Sequence, residues 1–196
     1  AGLGILAVSP KALKASESAT MRRAYFEFRD FAMTAETGYF PYTPPAQLLH
    51  GLRAALDRLH AEGLENVIAR HAHLAEGVRR GVAAWGLQIC AEHPSLHSNT
   101  VTAIRVPENV DARDVIRIGY ERYNTSFGSG LARLAGKVFR IGHLGDLNEG
   151  MCLTALAVAE MALLEAGADV TLGSGVAAAQ GWYAQGRAQK MQIAAE

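Results

Sequence analysis

The sequence lacks most features that announce a specialised class of protein. Cysteine occurs twice in 196 residues, at Cys90 and Cys152. Two cysteines so far apart make no disulfide framework, and a reducing compartment suits them better. Neither sign of charge is in excess: Lys plus Arg number 19, and so do Asp plus Glu. Bulk attraction to nucleic acid or to an anionic membrane is thereby excluded. No run of like charge is long enough to act as a tail. Long apolar runs are also missing. The longest, Leu153 to Leu164, is Ala-rich, is broken by Glu160 and is too short to span a bilayer. GxGxxG and Walker patterns are absent, so Gly128-Ser-Gly130 and Gly173-Ser-Gly175 read as turns. The N-terminal Ala1-Gly-Leu-Gly-Ile-Leu-Ala-Val8 has neither an initiator Met nor a basic leader. It reads as a chain entering a buried strand, and the sequence is expected to be a fragment.

What is present is ordinary globular composition, 49% apolar and 19% charged. The length suits one domain, or a small domain with the edge of a larger one. Ile5–Val8 is the expected first strand. Ser9-Pro10 opens a helix to about Ala19, with Ser as N-cap and Pro at the first helical position. Residues 23–43 are aromatic and without period, which marks a functional or interface loop. Pro44-Pro45 starts a helix striped by Leu48, Leu49, Leu52, Leu56 and Leu59. Gly63 separates it from a second helix carrying Val67, Leu74, Val78, Val82 and Trp85 on one face. The pair reads as an αα-hairpin or one long bent helix. Strands are expected at Leu87–Cys90, Thr100–Val106, Thr125–Phe127 and Lys137–Ile141. Helices are expected from Asp111 to about Tyr123, from Asn148 to Glu165, and from Val176 to about Gln189. This order describes one sheet with helices on one face.

Arg140 is the most informative single residue. Period two on Val138-Phe139-Arg140-Ile141 places Phe139 and Ile141 on one face and Arg140 on the other, beside Val138. A guanidinium on a short apolar strand needs an anion. An internal Asp or Glu is the commoner partner, and a bound carboxylate or phosphate suits the planar fork equally well. Thr43 precedes a Pro-initiated helix. Its hydroxyl can cap that helix or help bind a phosphate there, capping being the commoner role. Cys90, His93 and His97 lack a fourth ligand at recognisable spacing, so no metal site is expected. His71 falls on the apolar stripe as a hydrogen-bonded semi-core histidine, and His73 falls off it, toward solvent.

Longer segments carry a resemblance. Lys137-Val-Phe-Arg-Ile-Gly-His-Leu-Gly-Asp-Leu-Asn-Glu149 resembles the C-terminal motif of class V aminotransferases, the serine–glyoxylate and alanine–glyoxylate group. Gly38-Tyr-Phe-Pro-Tyr-Thr-Pro-Pro-Ala-Gln-Leu-Leu-His-Gly-Leu-Arg53 looks like the segment before that family's interdomain helix. Ala61-Glu-Gly-Leu-Glu-Asn66 and Ser98-Asn-Thr-Val-Thr102 match in order. The resemblance implies an α/β, fold-type I pyridoxal 5'-phosphate enzyme. Residues 1–45 would be the C-terminal remnant of the large domain with an active-site loop, and residues 46–85 interdomain helices. Residues 86–196 would form a small α+β domain, a short antiparallel sheet covered by helices. It further implies a cytoplasmic homodimer with the active site shared between subunits, acting on an amino acid and a 2-oxo acid. Serine, or alanine, would donate its amino group to glyoxylate.

The family's Schiff-base lysine normally lies a few residues before a Gly-Leu-Gly like that at Gly2–Gly4. None of Lys11, Lys14, Lys137 or Lys190 matches it, so no catalytic residue is assigned in this chain. Arg140 matches the arginine that binds the substrate carboxylate. Thr43 matches a threonine that reaches the cofactor phosphate of the partner subunit. Phe40 stands where some relatives carry a phosphate-binding tyrosine, and Tyr42 is the expected substitute. The C-terminal Ile-Ala-Ala-Glu lacks a peroxisomal tripeptide. Two rival readings remain: cysteine desulfuration, which needs a mobile cysteine, and a non-catalytic α+β binding module.

Overall fold

Ser9 starts the first helix, α1 (Pro10–Glu17), by accepting the Ala12 N–H on its hydroxyl oxygen at 3.2 Å. α2 spans Phe28–Ala35 and α3 spans Ala46–Glu62. These helices form the first of two compact units, Ala1–Gly63, and the second is Leu64–Glu196. The computed structural model describes residues 2–193, with side chains through residue 186. Ala1, the C-terminal tripeptide 194–196 and the Lys190 side chain, each used in the sequence reading, lie outside the described residues.

Two expectations fail in the first unit. Residues 5–8 form no strand, and Ile5 is 80% exposed. A strand must pass its N–H and C=O groups to a neighbour, and the sheet pairs no strand with this segment. Residues 23–43 are not irregular throughout, because they contain α2. The Arg23 guanidinium donates to the Glu27 carboxylate at 2.9 Å and to the Ser16 and Ala19 carbonyls, each at 3.2 Å. That clamp holds the chain ahead of α2, and Glu27 then caps it through the Arg29 N–H. Gly63, at φ 85°, ends α3, so one continuous bent helix is excluded. None of residues 2–63 is buried. The leucine stripe of α3 is only partly covered: Leu49 and Leu52 are half-buried, and Leu48, Leu56 and Leu59 are each at least 40% exposed.

The second unit has its own core. α4 (Leu64–Ala84) buries the expected face, Val67, Leu74, Val78 and Val82, followed by Trp85. Then come β1 (Gln88–Ile89), β2 (Val101–Arg105), α5 (Ala112–Tyr123), β3 (Gly128–Ser129), β4 (Val138–Gly142), α6 (Glu149–Glu165) and α7 (Ser174–Ile193). The strands pair antiparallel in the order β1-β2-β4-β3. Thr102, Ile104, Phe139 and Ile141 make the core face, because register sets Thr102 opposite Ile141 and Ile104 opposite Phe139. Asp111 and Asn148 cap α5 and α6 as expected, accepting from the N–H groups of Arg113 and Met151. The strand expected at Thr125–Phe127 instead lies at Gly128–Ser129, a segment read as a turn. Phe127 turns inward against Phe139, ring centroids 5.7 Å apart, and pairing with β4 begins one residue later.

α6 is apolar on every side and runs through the middle of the unit. Its one buried charge is Glu160, 2% exposed. The carboxylate accepts from the Trp85 indole at 2.9 Å, from the N–H of Gly173 at 2.7 Å and of Gly175 at 2.6 Å, and from Val176 at 3.2 Å. The acceptor sites are filled by donors from the end of α4 and the start of α7, where the helix dipole also favours an anion. α7 then lies close on α4. A Cβ at Gly77 would fall inside the Tyr183 ring, and the Tyr183 hydroxyl donates to the Leu74 carbonyl at 2.9 Å.

Glu160→Ala leaves an indole and three backbone donors without an acceptor in the core. It is expected to cost about 3 kcal/mol or more in urea unfolding, with Glu160→Gln costing less. A loss below about 1 kcal/mol for the alanine variant would show that the buried carboxylate does not hold α7.

Candidate functional site

β4 carries Arg140 where alternation places it, on the face opposite Phe139 and Ile141. Its cross-strand partners are Ala103 on β2 and Gly128 on β3. The guanidinium is thus flanked by the two smallest residue types. Its Nε is buried and makes no hydrogen bond. Among the described residues Arg140 forms no ion pair with any Asp or Glu. The internal salt bridge, the commoner reading of such an arginine, is therefore not made. An orphaned buried N–H costs about 1–3 kcal/mol.

The segment after Arg140 is clamped from beneath. Period two continues past β4 and sends His143 inward, fully buried. Its Nδ1 donates to the Asn99 carbonyl at 3.1 Å, and its Nε2 accepts from the Thr102 hydroxyl at 2.8 Å. His71 is 8% exposed. Its Nδ1 donates to the Val67 carbonyl at 2.7 Å, and its Nε2 accepts from the Gly145 N–H at 3.0 Å. Arg70 donates to the carbonyls of Gly145 at 2.8 Å and Leu147 at 3.1 Å. The two sequence segments 98–102 and 137–149 therefore meet through His143. Sequence reading passed over His143, although the alternation Phe139, Ile141, His143 was there to find it. Burial pushes its pKa below the ordinary 6.5; the Arg79 charge acts the same way and the Asn99 carbonyl opposes it.

In the first unit, Tyr42 and Thr43 are both exposed. The N-cap of α3 is Pro45, which makes no side-chain cap, so Thr43 does not cap the helix as the commoner reading required. The Tyr42 hydroxyl donates to Asp30 at 3.3 Å, and its ring lies 4.7 Å from that of Tyr25. Other expectations resolve locally. His93 bonds Ser95 at 2.7 Å and His97 bonds the Ala91 carbonyl at 3.3 Å. No metal-binding group of three or more His, Cys, Asp or Glu occurs among the described residues. His71 is the semi-core histidine expected. His73 is not toward solvent: it packs 5.7 Å from the Trp182 ring and 5.2 Å from that of Tyr183, because α7 covers that side of α4. Neither cysteine resembles a mobile nucleophile. Cys152 is buried in α6, and burial pushes its thiol up. The Cys90 N–H is fixed to the Ala103 carbonyl at 2.8 Å. Among the described residues no helix is long and apolar enough to cross a membrane.

The second unit is a short antiparallel sheet with helices packed on it, and the solved structures it resembles are fold-type I pyridoxal-phosphate aminotransferases. The pyridoxamine–pyruvate aminotransferase of Mesorhizobium loti superposes with a TM-score of 0.82 at 33% identity, over 91% of this chain and 46% of that one. Serine–glyoxylate aminotransferase of Hyphomicrobium methylovorum is 55% identical over 186 residues, 94% of this chain and 46% of the relative. L-aspartate–glyoxylate aminotransferase of Paracoccus denitrificans is 50% identical over 194 residues, 99% of this chain and 49% of the relative. No protein-family model matches the chain. The chain is homologous along nearly its whole length to class V aminotransferases of the serine–glyoxylate and aspartate–glyoxylate group, and corresponds to their C-terminal portion. It spans about half the length of the relatives it matches.

The lowered His143 pKa has a consequence for stability. Below pH 6.5 the unfolded chain binds a proton that the folded state resists. Stability is then full above that pH and is lost as the pH falls toward the lowered folded value. Urea midpoints are expected to fall between pH 7.5 and pH 5 in the parent and to fall less in His143→Gln. Equal slopes in the two proteins would remove His143 as the cause.

Proposed function

We propose that this chain is the substrate-carboxylate-binding portion of an aminotransferase that moves an amino group from L-serine to glyoxylate, giving glycine and a 2-oxo acid. The observation that carries the reading is the Arg140 guanidinium, half-buried and without an internal anion. The 55% identity to a serine–glyoxylate enzyme supports the choice of substrates. Alanine is the alternative donor from the sequence resemblance, and aspartate enters through the 50% identical Paracoccus relative.

Pyridoxal 5'-phosphate is the proposed cofactor. The donors in the first unit suit its phosphate: a threonine hydroxyl beside a helix N-terminus that no side chain caps. Thr43 would hold the phosphate of the partner subunit's cofactor. Tyr42 would join by exchanging Asp30 for the phosphate. When bound, the cofactor supplies an electron sink for breaking the α-C–H bond. Arg140 fixes the carboxylate, so that this bond is held in one orientation through both half-reactions. The enzyme is proposed to be a cytoplasmic homodimer with shared active sites. A first unit without a buried residue, with Leu48, Leu56 and Leu59 of α3 exposed, agrees with a partner surface.

In the full-length protein, Arg140→Ala is expected to raise KM for donor and acceptor roughly 100-fold, the worth of two charge-assisted hydrogen bonds. Unchanged KM would refute the carboxylate assignment. Thr43→Ala is expected to weaken cofactor binding about tenfold or more in an absorbance titration. Retained affinity would remove Thr43 from the phosphate site. Comparing L-serine, L-alanine and L-aspartate as donors by kcat/KM decides the substrate.

A further inference from the structure

Gly128 sits on the short edge strand β3, directly opposite Arg140. Its φ is not in the left-handed region, so the backbone there does not itself require glycine. What requires it is the arginine. A Cβ built at Gly128 would lie 3.0 Å from Arg140 Nε, 3.2 Å from its Cβ and 3.3 Å from its Cζ. Those are the three nearest heavy atoms, and all belong to one side chain. Gly130, two residues on, makes a useful contrast. A Cβ there would collide with the Leu134 carbonyl oxygen and press on the Val138 carbonyl, both backbone. Gly130 therefore serves the chain trace, and Gly128 serves the Arg140 side chain.

We propose that Gly128 is a positioning residue for substrate binding: its missing side chain lets the Arg140 guanidinium lie flat between β3 and Ala103, with its terminal nitrogens presented end-on to a carboxylate. The inference rests on the reading of Arg140 as the carboxylate ligand. Nε is buried on the Gly128 side without a partner, so the Nη1 and Nη2 edge is the one left to receive the anion. Neither flanking residue offers an acceptor side chain that would turn the fork aside. A methyl at position 128 leaves β4 in place, because Phe139 and Ile141 anchor that strand in the core. The guanidinium gives by a few tenths of an ångström to clear Nε and Cζ, and the edge strand β3 eases outward to clear the Arg140 Cβ. A displaced bidentate clamp loses binding.

The test is Gly128→Ala beside Arg140→Ala in the full-length, cofactor-loaded protein. Glycolate serves as a carboxylate probe with neither an amino nor a carbonyl group to react. Its binding is read by calorimetry, and KM and kcat are read with L-serine and glyoxylate. Gly128→Ala is expected to weaken glycolate binding and raise KM about fivefold, with kcat within about twofold. Cofactor content and thermal midpoint should stay at parent values, and Gly130→Ala should lower the midpoint. If Arg140→Ala loses binding and Gly128→Ala keeps it, the positioning role is overturned while the Arg140 assignment stands. If both variants bind glycolate as the parent does, the Arg140 assignment falls and this inference falls with it. A Gly128→Ala protein with a lowered midpoint or lost cofactor would make the glycine structural and overturn the proposal.

Discussion

A buried carboxylate holds the second unit together. Glu160 lies in the middle of an otherwise apolar helix, where an unpaired charge would be costly. Its position is tenable because four donors converge on it: the Trp85 indole and the N–H groups of Gly173, Gly175 and Val176. Those donors come from the end of α4 and the start of α7. The interaction therefore fixes where α7 begins. Once α7 begins there, Trp182 and Tyr183 reach the carbonyls of His73 and Leu74, at 3.0 and 2.9 Å. α4 is thereby tied to α7 along the turn that carries His73 and Leu74.

That tie bears on the site through a second set of polar contacts. α4 supplies His71 and Arg70, and both hold the loop that follows β4. His143 ties the same loop to β2 through Thr102 and Asn99. Most of the residues that make the 137–149 segment distinctive are thus supports. Among the described residues the Arg140 guanidinium has no acidic partner. An arginine whose strand, neighbours and following loop are all restrained, while its own charge is not neutralised, is suited to take an external anion without reorganising.

The first unit contrasts with the second. Arg23 gathers the chain around its guanidinium, and the aromatic rings of Tyr25 and Tyr42 touch, but no residue between 2 and 63 is buried. Helices in water draw most of their stability from packing an apolar face. The leucines of α3 present such a face, and Leu48, Leu56 and Leu59 on it remain at least 40% exposed. The Ser9 cap, the Arg23 clamp and Gly63 in the left-handed region shape this part locally, and Tyr42 ties the segment after α2 to Asp30 and Tyr25.

Much of this was legible in the residues alone. The caps at Ser9, Asp111 and Asn148, the buried stripe of α4 and the alternation of β4 were read correctly, because each depends on neighbours within a turn or a strand. The resemblance of 137–149 to class V aminotransferases was also local, and the relatives of the chain are aminotransferases of that group. Other features needed the tertiary fold. Ile5–Val8 has strand composition but finds no strand to pair with. His73 looked like a surface residue until α7 covered it. Glu160 looked like an interruption of an apolar run and is instead the acceptor for four distant donors. The partner of Arg140 was open in the sequence, since any of 19 acidic residues was available to it. Only the folded arrangement, which brings none of those described to the guanidinium and sets Gly128 and Ala103 on either side, left that charge without an internal anion.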